Sequence, residues 1–168
     1  TLTCSARGLR CTSGQIIGQI IGQTMGTNYY LHTKPPCTCC GRPYPPLHIG
    51  KSSAGWCFAL HVIPEEGIND LDDWRKLWSQ SGAYIEDEYG DAISAYVMEE
   101  MITNRHWPYP VFDAKGMRQT CDGYVTEEDF HRQNRSQRGP NGLLRSALGG
   151  NCVKHGDGTW DCIEGEFS

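Results

Sequence analysis

Soft metal ligands crowd into one stretch of the chain, CTCCGRPYPPLHIGKSSAGWCFALH, running from Cys37 to His61. Cys37 and Cys40 have the Cys-x-x-Cys spacing that lets two thiolates converge on one ion, and Gly41 gives the backbone the freedom a tight turn needs. Cys39, between them, is expected to point away. The other ligands must come from nearby. Leu47 to Gly50 and Trp56 to Ile63 read as two strands of a hairpin, with Trp56, Phe58, Leu60 and Val62 on a core face and Cys57, Ala59 and His61 on the other. A turn at Ser52 and Ser53 sets His48 opposite Cys57, and a turn at Ala54 and Gly55 sets it opposite His61, with opposed side chains about 5 Å apart. Along a straight strand Cys57 and His61 stand roughly 13 Å apart, so one ion does not take both. The expected site is zinc held by Cys37, Cys40, His48 and His61, with Cys57 in reserve. Four protein ligands close a structural site, whereas three and a water leave a position open for catalysis.

Other residue sets offer weaker chemistry. Gly50, Lys51, Ser52, Ser53 and Gly55 put a cation, two hydroxyls and flexible amides in one loop, so Lys51, Ser52 and Ser53 are candidates for a small anionic or nucleotide-like ligand. The loop is not a Walker A motif, because Pro45 stands where the leading glycine belongs. Glu65, Glu66 and the run Glu86, Asp87, Glu88 could assist a metal-bound water. Arg132, Arg135, Arg138 and Arg145 form a basic patch that could meet phosphates or an acidic partner, without the aromatic residues a nucleic-acid surface usually interleaves. Cys152, His155 and Cys162 form a second candidate set.

These residues need elements to hold them. NYYLHT at 28–33 is extended in character and is stopped by Pro35 and Pro36 before the cysteines. Asp70 caps a helix through DLDDWRKLW that buries Leu71, Trp74 and Trp78, with Asp73 answering the cap. GAYIE reads as a short strand. Asp91 is expected to cap AISAYVMEEMITNR with Ile93, Val97, Met101 and Ile102 inward, and Thr126 to cap EEDFHRQN. The segment from Arg105 to Gln119 reads as loop, and TWDCIEGEF as a final strand.

Composition bounds the reading. A chain of 168 residues is long enough for one domain that does not need a metal to fold. Its formal net charge of −5 argues against broad attraction to nucleic acid or anionic membrane. No run of eighteen apolar residues and no leader pattern occurs, which places the expectation in a cytoplasm. The nine cysteines are an odd count, so free thiols and ligands are expected rather than a disulfide framework, with Cys4, Cys11 and Cys121 ordinary thiols. Residues 1–24, with their uncharged IIGQIIGQ repeat before Met25, read as a dispensable extension, and 25–168 as a single domain.

The pieces MGTNYYLHTKPPCTCCGRPYPPLHIGKSSAGWCFALH, GPNGLLR and HGDGTWDCIEGEFS resemble a family of small uncharacterised proteins of tailed phages and prophages, over most of Met25 to Ser168. The resemblance implies that Cys37, Cys40, His48 and His61 are family features and that the chain is a viral accessory protein; it implies no activity. The expected fold is α+β, a small antiparallel sheet with a zinc knuckle and two to three packed helices. The expected function is an accessory binding protein that engages a host or phage protein or a small nucleotide-like ligand. A metal-dependent hydrolase or nuclease and a minor virion component are the competing readings.

Overall fold

A computed structural model describes residues 26–35, 37–42, 44–120 and 123–167; the expected extension at 1–24 and the thiols Cys4, Cys11 and Cys121 lie outside them. Along the chain come β1 (Thr27–His32), β2 (Leu47–Ser52), β3 (Phe58–Val62), a 3-10 turn (Pro64–Glu66), α1 (Leu71–Trp78), β4 (Tyr84–Asp87), β5 (Ala92–Ile93) and α2 (Ala95–Thr103). Then follow β6 (Met117–Thr120), β7 (Gly123–Thr126), α3 (Glu127–Asn134), β8 (Ser136–Arg138), β9 (Leu144–Ser146), β10 (Cys152–His155) and β11 (Trp160–Glu164). Seven strands form one sheet in the order β10-β11-β3-β2-β1-β4-β5, antiparallel except where β11 runs parallel to β3. Two small ribbons, β6-β7 and β8-β9, stand beside it. The fold is α+β with a mostly antiparallel sheet, as the sequence implies.

The main core lies on the sheet face that carries Leu31, Phe58, Leu60, Val62, Trp160 and Cys162, covered by Leu71 and Trp74 of α1 and Met98 and Ile102 of α2. Trp74 is fully buried, and its indole N–H donates to the His61 carbonyl at 2.8 Å, so the ring is packed and its polar edge satisfied. A second cluster, Phe112, Phe130 and Leu144 with Trp56 against them, sits under the ribbons. Trp56 therefore leaves the core face it was expected to share with Phe58.

Helix α1 starts as its sequence predicts. The Asp70 carboxylate accepts from Asp72 N at 3.0 Å and Asp73 N at 3.3 Å, while Asp73 answers by accepting from Asn69 N at 3.0 Å. Thr126 likewise caps α3 through Asp129 N at 3.2 Å. The start of α2 differs from expectation. Ala92 and Ile93 pair with Glu86 and Ile85 across a tight turn, so the helix begins three residues later with Ser94, whose hydroxyl accepts from Val97 N at 3.2 Å. The shift rotates the buried face to Met98 and Ile102, and Val97 becomes exposed. Met117 to Gln119, expected as loop, pair together with Thr120 as β6.

The β2-β3 hairpin adopts neither expected register. Gly50 lies opposite Leu60 and Lys51 opposite Ala59. Between β1 and β2 the pairing passes from Tyr29↔Gly50 to Tyr30↔His48, leaving Ile49 as an extra residue in a bulge. Gly50 has φ +149, and a β-carbon there would come within 2.0 Å of the Ala59 carbonyl oxygen, so only glycine fits.

Candidate functional site

The thiols Cys37, Cys39 and Cys40 gather at the mouth of one tight turn, their three sulfurs all within 4.8 Å of one another. The turn is closed by Gly41 N–H donating to the Cys37 carbonyl at 2.7 Å and Cys37 N–H donating to the Arg42 carbonyl at 2.8 Å, with Gly41 at φ +69. Cys39 does not point away. Its Sγ lies 2.9 Å from that of Cys37, because the backbone here curls on itself and strand alternation does not apply. The hydrogen bond from the Cys39 thiol, helped by backbone amides of the turn, brings Cys37 down to about 7, while Cys39 is pushed up in exchange. A thiolate is thus accessible near neutral pH on an exposed loop, and the trio has the softness and spacing to hold a metal ion.

The two histidines of the expected set sit elsewhere. Their rings are 5.3 Å apart on the sheet, and Phe167 packs on both, at 4.9 Å from His48 and 5.2 Å from His61. His61 Nδ1 donates to the His48 carbonyl at 3.1 Å, and His48 Nε2 meets Asn28 Oδ1 at 3.1 Å, with the Asn28 amide donating onward to Glu88 at 2.9 Å. Burial, and then the neighbouring His61, push His48 down to about 4, so it is neutral at pH 7. The structure brings Cys37 and Cys40 together with Cys39 and pairs His48 with His61, but does not join the two sets into one donor group. Cys57, the reserve ligand, is buried against Arg145, and burial pushes its thiol up to about 11.

The loop of Lys51, Ser52 and Ser53 is braced from within. Arg105 donates to Ser52 Oγ at 2.8 Å, to the Trp56 carbonyl at 2.7 Å and to the Ser53 carbonyl, so a cation already fills the cradle proposed for an anion. Arg105 gave no signal in the sequence, because the loop it serves lies some fifty residues away. The acids are committed too. Glu86 pairs with His32 at 2.8 Å, Asp87 accepts from the amides of Tyr89 and Asp91 at 2.9 Å, and Glu88 holds Asn28. Glu65 and Glu66 are exposed on the 3-10 turn. Of the basic patch, Arg132 pairs with Asp129, Arg138 with Glu127 and Arg145 with Asp161, leaving Arg135 exposed at the end of α3.

A second donor group is built around Asp161, which the sequence reading passed over. Cys152 and His155 do come together, but their third member is Asp161 and not Cys162, which faces the opposite side into the main core. The pairing runs Cys152↔Ile163, Lys154↔Cys162, His155↔Asp161, so Val153 is an extra residue. In a regular strand positions 152 and 155 point to opposite faces; the bulge puts both on one face.

Compared with protein-family models, curated proteins and solved structures, the chain matches none of them. Among the described residues no helix is long and apolar enough to cross a membrane.

Proposed function

We propose that the protein is a binding protein of the phage accessory kind, in which zinc held by Cys37, Cys39 and Cys40 fixes an exposed turn for a protein partner to grip. The observation that carries this reading is the convergence of three thiols within 4.8 Å on that turn, one of them brought down to about 7. Three thiolates occupy three corners of the tetrahedron zinc prefers, and the fourth falls to water or to a donor on the partner. Among the described residues no carboxylate joins the three thiols within 4.8 Å, which favours binding over a hydrolase or nuclease. The Arg105 brace favours a protein partner over a nucleotide-like ligand at Lys51, Ser52 and Ser53. A net charge of −5 suits a host or phage partner with a basic face, and free thiols suit a reducing cytoplasm.

Metal content by mass spectrometry together with zinc X-ray absorption tests the reading. The expected result is one zinc per chain in a shell of three sulfurs and one lighter atom, lost in Cys37→Ala and Cys40→Ala and kept in His48→Ala and His61→Ala. A shell of two sulfurs and two nitrogens, lost with either histidine, would restore the set Cys37, Cys40, His48 and His61 in place of the three thiols. No stoichiometric metal would end the zinc reading.

A further inference from the structure

An open cavity of about 390 Å³ lies against the second face of the sheet, walled by Ala59, Ile163, Phe167, Asn151 and Arg135, with Cys152 also on its wall. Cys152, His155 and Asp161 place a sulfur, a ring nitrogen and a carboxylate oxygen within 4.8 Å of one another. Of the three, Cys152 borders the cavity. Asp161 is buried and accepts from His155 Nδ1 at 2.8 Å, Arg145 Nε at 2.7 Å and Ser146 N at 2.8 Å. A carboxylate can only accept, so the His155 hydrogen sits on Nδ1 and the lone pair on Nε2, where the exposed Gln137 amide caps it at 2.8 Å. With Arg145 against Asp161, a metal ion at this group would face a fixed cation. A nucleophile, its base and the group that orients the base meet no such conflict.

We propose that Cys152 is the nucleophile of an acyl-transfer site, with His155 as its base, Asp161 positioning the imidazole, and Arg135 meeting an anionic end of the acyl donor. Arg135 is placed for this: it lies over the turn that leads into Cys152, where a β-carbon on Gly150 would come within 3.3 Å of its Nη1. Burial holds the Cys152 thiol up at about 11, so the resting group is neutral and its attack needs a base. Once Gln137 swings aside, His155 takes the thiol proton as sulfur bonds to the acyl carbon. The bond from that carbon to the leaving oxygen or sulfur breaks, and the leaving group takes the proton from His155. Water then attacks the thioester, again giving a proton to His155, and the released acid leaves the thiol restored.

The test uses the full chain with p-nitrophenyl acetate and its anionic analogue, the p-nitrophenyl monoester of succinate, and reads the acylated cysteine by peptide mass spectrometry. Cys152 is expected to be acylated, about 100-fold more slowly in His155→Gln, with thermal melts confirming the fold. Arg135→Gln is expected to slow the succinyl ester about tenfold more than it slows the acetyl ester. In the unmodified protein, acylation of Cys152 is expected to level off with rising pH before the thiol itself ionises at about 11. Acyl groups found only on Cys37, Cys39 or Cys40, an equal rate at Cys152 in a folded His155→Gln, or a rate at Cys152 that climbs to pH about 11, as for an unassisted thiol, would each overturn the proposal.

Discussion

His48 illustrates how the same residue type changes role with its surroundings. Read from the sequence it is a ligand; in the fold it is a neutral, half-buried ring between Asn28, His61 and Phe167. Burial is the larger cause of its depressed value of about 4, and the neighbouring His61 adds to it, while Glu166 opposes and Lys51 reinforces the shift. An unfolded histidine takes up its proton near pH 6.5, so between about 6.5 and 4 the unfolded chain binds a proton the folded chain refuses. Stability is therefore expected to fall with pH across that window. Urea denaturation at pH 7 and pH 4.5 checks it: the midpoint should drop for the wild-type chain and drop less in His48→Gln, and equal drops would assign the effect to other groups. The cysteine spacing was legible because thiols in a short turn have little room to separate. Cys39 joining them was not, because its direction depends on how Gly41 and Arg42 close the turn.

At the scale of elements, two bulges decide the chemistry. Ile49 in β2 and Val153 in β10 each add one residue, and each overturns what period-two alternation implies. The first offsets the β1-β2 pairing beside His48; the second carries Cys152 to the face of His155. Gly50 is the backbone mark of the first bulge. Gly50→Ala is expected to destabilise the fold by about 3 kcal/mol or more, since the added carbon meets backbone and not a flexible side chain. Chemical denaturation measures it, and a change below about 1 kcal/mol would show that the bulge relaxes freely. Caps fared better than registers. Asp70 and Thr126 hold their helices as read, because a cap is a bond within three residues. Asp91 failed as a cap because the next two residues pair with β4, and strand pairing took precedence over a local signal.

For the whole molecule, Asp161 joins the parts. From β11, the second strand from one edge of the sheet, it binds Arg145 and Ser146 of the β8-β9 ribbon and His155 of β10, with 4% of its side chain exposed against 15% for Arg145. Removing one partner of such a pair leaves the other buried and unpaired. Asp161→Ala is expected to cost about 3 to 5 kcal/mol in urea denaturation, and Arg145→Met added to it to recover part of the loss. A cost under about 1 kcal/mol would make the network dispensable. The sequence by itself determined the fold class, the apolar strand of Phe58, Leu60 and Val62, the tryptophan helix and the thiol turn, since each rests on periodicity or on neighbours a few residues apart. The tertiary structure alone decided that β11 inserts parallel to β3, that Arg105 braces the Ser52 loop, that the histidines part from the cysteines, and that Asp161 joins Cys152 and His155. Each of those depends on which bulge absorbs an extra residue and which distant strand lies alongside, and contacts between remote segments leave no period in the chain.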